Sequence, residues 1–427
     1  VLMSNMKPLA QHPLPVQTGY IMGINYCLGL QPRLLTFEGD ALTKMLHDAL
    51  KIAESRDTPE RSPTNLVVEN NLACINLLST AIGCREFLES TNQNLQDLQG
   101  RIIRLFLRTL LFKHKDLVQA AKNGLYQFTV HQRLRREMLQ ESLRDVLVAL
   151  TDFKSLSVDL LEGVASFLKL LASSFNVELG QKLMEHLEKF ANVIPRSTRN
   201  QPAPSNWKDV EKEIQVAAAL INVFHLLPPQ ANQFLPRFVR AVVQLEELHL
   251  RTVASPYRVA AARYLNTFPQ ETLDFFLCPQ QLSQPRFADL FVDVLGRDIS
   301  GKLRECMGSN AEKLVEVCFG VHIQSNNVMV NDSTAVGTRL SFLGVQLVRI
   351  LSKHSPSWLG EQALVFDCLM QLWRSPARQA RTENESAMPL SALREGKLLS
   401  KCLLVYWECH PSQVAILYEV LKALLVR

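Results

Sequence analysis

The sequence lacks most of what an enzyme active site requires. Only 17 Gly are spread over 427 residues, and none builds a phosphate-cradling loop. Gly301-Lys302 and Gly396-Lys397 lack both the upstream Gly and the following Ser or Thr that a nucleotide and its Mg²⁺ need. No HExxH, GxSxG, kinase catalytic loop or Asp-Phe-Gly occurs. No catalytic residue and no cofactor is therefore expected. The nine Cys form no CxxC pair; Cys74, Cys306, Cys318 and Cys368 each stand alone in helical-looking text, which fits a reducing compartment, cytosol or nucleus. Aromatics are only 7% and most of the apolar weight is Leu, Val and Ala, a mix that favours helices packed on helices over a sheet sandwich. Neither sign of charge dominates, with 46 basic against 41 acidic residues and a net charge of +5. That is far from the concentrated basic signature of a nucleic-acid binder. No apolar stretch reaches membrane-span length. The run Val216 to Leu227 holds Asn222 and His225 and stops at Pro228-Pro229. No charged-then-apolar leader is visible at the start. A first residue Val1 and an amphipathic close at Arg427 lead us to expect an internal piece of a longer chain.

What is present is helical periodicity. Hydrophobic residues make up 47% and charged residues 20%, the balance of a folded chain. Leu42, Met45, Leu46, Ala49 and Leu50 follow the i, i+3, i+4, i+7 rule, as do Leu143, Val146, Leu147 and Leu150, and Leu160, Leu161, Val164, Phe167 and Leu168. Further runs fall near 66–80, 95–112, 177–191, 208–226, 230–250, 258–267, 284–295, 311–320, 336–353, 358–373, 391–408 and 412–426. Strand-like alternation is nearly absent; Val321 to Val330 is interrupted by Ser325, Asn326 and Asn327 and reads as loop. Ser157, Ser205-Asn206 and Ser355 stand where helix caps belong, and Pro228-Pro229, Pro269, Pro279, Pro356 and Pro411 stop preceding helices. Helices of roughly twenty residues, paired and repeating at about forty, mark a degenerate HEAT-like array. One pair cannot bury its apolar stripe alone, so pairs stack. The expected architecture is an all-α α-solenoid, one continuous HEAT-like array over 1–427, with polar loops near 54–65, 195–206 and 375–389.

Few residues are candidates for a site. Arg101, Arg104 and Arg108 fall on one helix face, followed by Lys113, His114 and Lys115 and then Arg133, Arg135 and Arg136. They make a candidate basic face for acidic partners. The plainer alternative is the solvated side of two helices whose other sides carry Ile102, Phe106, Leu110 and Leu139. No aromatics interleave as base-stacking platforms would. Cys402 lies one helical heptad before Cys409-His410; a metal site needs at least three convergent ligands, and these residues read as buried thiols at a helix end. Trp207, Trp358, Trp373 and Trp407 read as packing residues.

Three blocks of text carry a resemblance. The first runs from Met138 to Phe190, with Leu139-Gln140, Ser142-Leu143-Arg144, Leu160-Leu161-Glu162-Gly163, Phe175-Asn176-Val177-Glu178-Leu179-Gly180, Lys182-Leu183 and Glu185-His186-Leu187. The second has Ser255-Pro256-Tyr257-Arg258, Tyr264-Leu265-Asn266 and Phe275-Phe276-Leu277. The third has Gly344-Val345 and His354-Ser355-Pro356-Ser357-Trp358-Leu359. In content and order these resemble the TRRAP family, giant scaffolds related to the phosphatidylinositol-3-kinase-like kinases. The resemblance implies a HEAT segment lying before a kinase-like domain that lacks catalytic residues. It implies a nuclear, non-catalytic scaffold of SAGA-type histone acetyltransferase coactivator complexes. The implied partners are subunits of those complexes and transcription activators with acidic segments. No small-molecule substrate, membrane or direct nucleic-acid contact is expected. Two other functions fit the helical pattern: the HEAT region of an active kinase of that superfamily, and a transport or adaptor solenoid.

Overall fold

A computed structural model describes residues 8–32, 34–35, 37, 40–55, 65–112, 114–132, 136–153, 156–170, 177–193, 207–248, 255–320, 335–375 and 390–425. Among them every regular element is helical. The chain divides into two compact units, residues 1–186 with 206–228 and residues 187–205 with 229–427.

The first unit holds α1 (Leu14–Gly29), α2 (Asp40–Glu54), α3 (Asn65–Ile82), the single turn α4 (Arg85–Leu88), α5 (Gln93–Thr109), α6 (Lys115–His131), α7 (Arg136–Ala149), α8 (Val158–Leu170), the first part of α9 (Val177–Val193) and α10 (Trp207–Val223). Its helices stack in two layers. One layer is α1 on α3 on α6; the other is α2 on α5 on α7. The layers are tied by α2 against α3 and α5 against α6, the helix pairs of a HEAT repeat. The apolar stripes dictate this. Leu42, Met45, Leu46, Ala49, Leu50 and Ala53 of α2 are all buried, because spacings of three and four residues place them on one face.

Polar groups set register where apolar ones only attract. Buried Asn70 of α3 donates from Nδ2 to Gln17 Oε1 (3.1 Å) and accepts at Oδ1 from Thr18 Oγ1 (3.0 Å) on α1. Asn92 Oδ1 accepts from the Asn94 amide (3.0 Å) to cap α5, and Ser157 Oγ accepts from the Leu160 amide (3.2 Å) at the start of α8. Gly163 of α8 crosses directly over Leu110. A Cβ there would run into the Leu110 carbonyl oxygen, which is backbone and cannot swing aside.

The second unit holds α11 (Leu235–Leu248), α12 (Pro256–Thr267), α13 (Pro269–Phe276), α14 (Pro279–Leu282), α15 (Pro285–Gly296), α16 (Lys302–Ser309), α17 (Ala311–Phe319), α18 (Ala335–His354), α19 (Pro356–Glu361), α20 (Ala363–Trp373), α21 (Leu390–Cys409) and α22 (Val414–Leu425). Here α12, α15, α18 and α21 stack in succession, with α11, α13, α16, α17 and α20 alongside. Tyr257, Tyr264, Phe276 and Phe291 are fully buried. Tyr264 Oη donates to the Ala231 carbonyl (2.6 Å) while its ring sits 4.5 Å from Phe238. Burial and the field of Glu271 push its phenol far above the usual range. Glu246 on α11, with no exposed side-chain surface, takes both Arg258 Nε (2.8 Å) and Nη2 (3.1 Å) from α12. Burial works against the Arg258 charge, but the hydrogen bonds to Glu246 together with the fields of Glu246, Asp293 and Asp289 outweigh it and raise its pKa.

Several expectations are revised in detail. The run 230–250 is a 3₁₀ stretch, Pro229–Phe234, leading into α11. The run 358–373 is broken at Gln362 into α19 and α20. Buried Leu359 is out of helical phase with buried Val365, Cys368 and Leu369, so an unbroken helix would turn one set to solvent. Ser157 caps as expected and Ser255 Oγ caps α12 by accepting from the Tyr257 amide, whereas Ser355 makes no capping hydrogen bond. The expected caps at Ser205 and Asn206, the expected loop 321–330 and nearly all of the three polar loops lie outside the described residues.

Two measurements test this packing. Gly163→Ala is expected to destabilise the first unit by about 1–3 kcal/mol through overpacking, read as a lower midpoint in thermal or urea unfolding; an unchanged midpoint means that α8 does not cross at Leu110. Arg258→Ala strands a buried carboxylate and is expected to cost about 3–5 kcal/mol. Adding Glu246→Gln should restore much of that loss, and a double variant no better than the single one would contradict the pairing.

Candidate interaction surface

The face marked by Arg101, Arg104 and Arg108 is on α5, opposite its buried side of Leu98, Ile102, Leu105 and Phe106. The three side chains do not form a free basic patch. Arg101 Nη2 lies 2.5 Å from Glu54 Oε2 at the end of α2, and Arg104 Nη1 lies 3.5 Å from Glu141 Oε2 on α7. Arg104 and Arg108 join Arg144 of α7 along a trough of about 760 Å³, whose other walls include Glu54, Glu141 and Asp145. The guanidinium groups therefore face as many carboxylates. Such a trough has little net field at a distance, but it offers alternating donors and acceptors to a segment of matching sequence. Of the rest of the predicted face, His114 and Lys115 are exposed. Lys113, Arg133 and Arg135 lie outside the described residues, and the side chain of Arg136 is not described.

A second trough, of about 620 Å³, lies in the other unit and was not foreseen. One wall is the outward face of α16 (Arg304, Glu305, Gly308, Ser309). The other is α19 with the end of α18, contributing His354, Trp358 and Glu361. Asp298, almost wholly buried, fixes the turn before α16 by accepting from the amides of Gly301 (2.9 Å) and Arg304 (3.0 Å). Trp358 Nε1 donates to the Gly308 carbonyl (3.0 Å). Partial burial, then Arg304 and Lys353, depress the His354 pKa against the opposing pull of Asp298. No sequence signal joined α16 to α19, because α17, residues 320–334 and the whole of α18 intervene.

The remaining candidates scatter. Cys402 is buried and its thiol is pushed up to about 12, mainly by burial, whereas Cys409 is exposed and His410 stacks on Tyr406. No cluster of three or more metal-ligating side chains occurs among the described residues. Trp373 is buried in α20, Trp358 and Trp407 are half-buried, and the side chain of Trp207 is not described. No helix of the described residues is long and apolar enough to cross a membrane.

Comparison with known proteins gives this geometry a setting. The family model described as the Tra1 HEAT repeat ring region matches residues 2–427. The probable transcription-associated protein 1 of Dictyostelium discoideum is 30% identical over 98% of this chain and 9% of its own length. The human transformation/transcription domain-associated protein is 24% identical over 98% of this chain and 11% of its own. The SAGA complex/NuA4 acetyltransferase complex subunit TRA1 of Saccharomyces cerevisiae is 30% identical over 63% of this chain and 7% of its own. The chain thus spans about a tenth of the length of these relatives.

The pairing on α5 makes a prediction. Both partners in the Arg101–Glu54 pair are about a third exposed, so Arg101→Ala should lower stability by less than about 1 kcal/mol. The difference should shrink further in 1 M salt, where the screening length falls to about 3 Å. A salt-insensitive loss of several kcal/mol would show that the arginine is a packing residue instead.

Proposed function

Because this chain belongs to the Tra1 HEAT repeat ring family, we propose that it is a non-catalytic scaffold segment of a nuclear histone-acetylating coactivator complex. The observation that carries the reading is the match over residues 2–427, joined to yeast relatives whose names place them in SAGA and NuA4. The helical ladder suits the role, since a stack of amphipathic pairs presents long outer faces without needing an internal cavity. Subunits dock on those faces, and transcription activators with acidic segments meet the trough of Arg104, Arg108 and Arg144. The carboxylates already there restrict such a contact to segments that replace Glu141 or Glu54 as the partner of an arginine, so it is selective and not a general attraction to negative charge.

The test is affinity purification of the tagged gene product from nuclei, followed by mass spectrometry. Acetyltransferase-complex subunits are expected to co-purify, and their absence from a preparation that retains the intact chain would remove the scaffold reading. In the same material, Arg104→Glu with Arg108→Glu should leave subunit recovery unchanged while slowing capture of an acidic activation peptide at low salt. An unchanged capture rate would detach activators from this trough without touching the scaffold role.

A further inference from the structure

The trough between α16 and α19 differs from the one on α5 in its unpaired carboxylates. Glu305 and Glu361 stand exposed on its walls, and neither forms an ion pair among the described residues. The helices meet at Gly308, whose carbonyl accepts from Trp358 Nε1 (3.0 Å). A Cβ on Gly308 would lie 3.0 Å from that nitrogen and 3.2 Å from Cδ1, so the glycine lets the indole stand edge-on against α16. The rest of the half-buried ring lines the trough. His354 lies in the fields of Arg304 and Asp298, and one turn further along Trp358 meets Gly308, so the chain runs in the same direction along both walls. Residues three apart share a helix face. Glu305, one turn before Gly308, and Glu361, one turn after Trp358, therefore flank the indole from its two ends. The nearby cations do not cancel these carboxylates. Arg304 holds Nη1 3.5 Å from the Leu295 carbonyl. Burial, Arg304 and Lys353 keep His354 below its usual pKa, so it carries little charge at pH 7. The amides of Gly301 and Arg304 that open α16 are already bonded to Asp298, which leaves no helix start for an anion. The turn that Asp298 fixes also holds Ile299, 97% exposed, two residues from Gly301 at the end of the trough.

We propose that this trough docks a basic segment of a partner protein, with an arginine side chain laid against Trp358 between Glu305 and Glu361 and an apolar residue of the segment on Ile299. A guanidinium is planar and weakly hydrated, so it stacks on an indole while its donors stay free at the edges. Carboxylates at both ends of the ring then accept from those donors as charge-assisted hydrogen bonds. The hydrogen bond to Gly308 holds the indole in place beforehand, so little ordering is left to binding. Ile299 distinguishes a polypeptide from a free small cation, which would leave that side chain in water. An acidic segment is disfavoured, because it would lie against two carboxylates with no partner of their own. On α5 an incoming segment must displace Glu54 or Glu141 from an arginine; here the occupant displaces nothing. The inference stands on the geometry of this unit alone and does not rest on the coactivator reading.

The test uses the complete purified gene product, immobilised, and three libraries of short peptides with the same random flanks. Their central residue is arginine, its uncharged isostere citrulline, or glutamate. At low salt the arginine library is expected to be retained roughly tenfold better than the citrulline library. In a Glu305→Gln, Glu361→Gln double variant, which changes only exposed side chains, that ratio should fall to near one. Equal retention of arginine and citrulline by the unaltered protein overturns the proposal. So does an arginine preference that the double variant keeps, since the binding would then lie elsewhere. Preferential retention of the glutamate library, lost in Arg304→Gln, would assign the trough to an acidic segment and equally overturn the occupant proposed here. Ile299→Ser adds a second reading: it should lower retention of arginine peptides with apolar flanks and leave those with polar flanks unchanged, and no difference would contradict the Ile299 contact.

Discussion

The helices at the centre of each stack must bury more than one side at once, and much of the structure follows from that demand. The clearest case is α3, which lies between α1 and α6 in one layer and against α2 of the other. Its buried residues, from Asn70 through Cys74, Leu77, Leu78 and Ala81 to Ile82, wrap most of its circumference. A helix used in this way has no side left with which to line an enclosed cavity. The apolar material is consumed by stacking, and the two troughs found are surface features between outward faces. Recognition by outer faces has ample room.

Within that constraint, the residues that carry the family resemblance fix how neighbouring helices meet. Gly163 permits α8 to cross the backbone at Leu110. Ser255, Tyr257 and Arg258 start α12, fill its core and tie it to Glu246 of α11. Tyr264 reaches the Ala231 carbonyl, Phe276 stacks on Phe291, and Trp358 reaches the Gly308 carbonyl. Of these, only Trp358 lines a trough. The motif text therefore encodes the geometry of the stack more than any one binding event. A family could keep it while its outer faces diverge.

The same distinction explains what could be read from sequence. Helices with a one-sided stripe, such as α2, α5 and α11, announce themselves because the spacing of their apolar residues is a local property. Two helices of the first layer do not. α1 is apolar on every side, so it has no period to detect. α6 buries Ala120, Ala121 and Gly124 where a stripe would normally show Leu or Val, and small residues leave little hydropathy signal although they pack closely. The site was legible only in half. The spacing of Arg101, Arg104 and Arg108 correctly puts them on the outward side of α5, but their partners Glu54 and Glu141 come from α2 and α7. Pairing across a stack is decided by which helices become neighbours, and local text does not contain it. The trough of α16 and α19 was invisible for the same reason.

Cross-helix pairing also couples recognition to stability. Arg237 binds Glu188 through two hydrogen bonds (2.8 and 2.7 Å) across 49 residues of sequence, and Arg374 binds Glu419 in the same fashion (3.1 and 2.8 Å) across 45. These are half-exposed pairs, and each one contributes modestly on its own. A partner that sought one member would have to release the other, at a cost no larger than the pair itself contributes. The cationic side chains on these faces are thus offered at a discount set by their existing carboxylates, which suppresses indiscriminate attraction to acidic proteins. A segment that supplies both an acid for the arginine and a donor for the displaced glutamate loses nothing in the exchange. Prepaired faces of this kind disfavour recognition by charge alone.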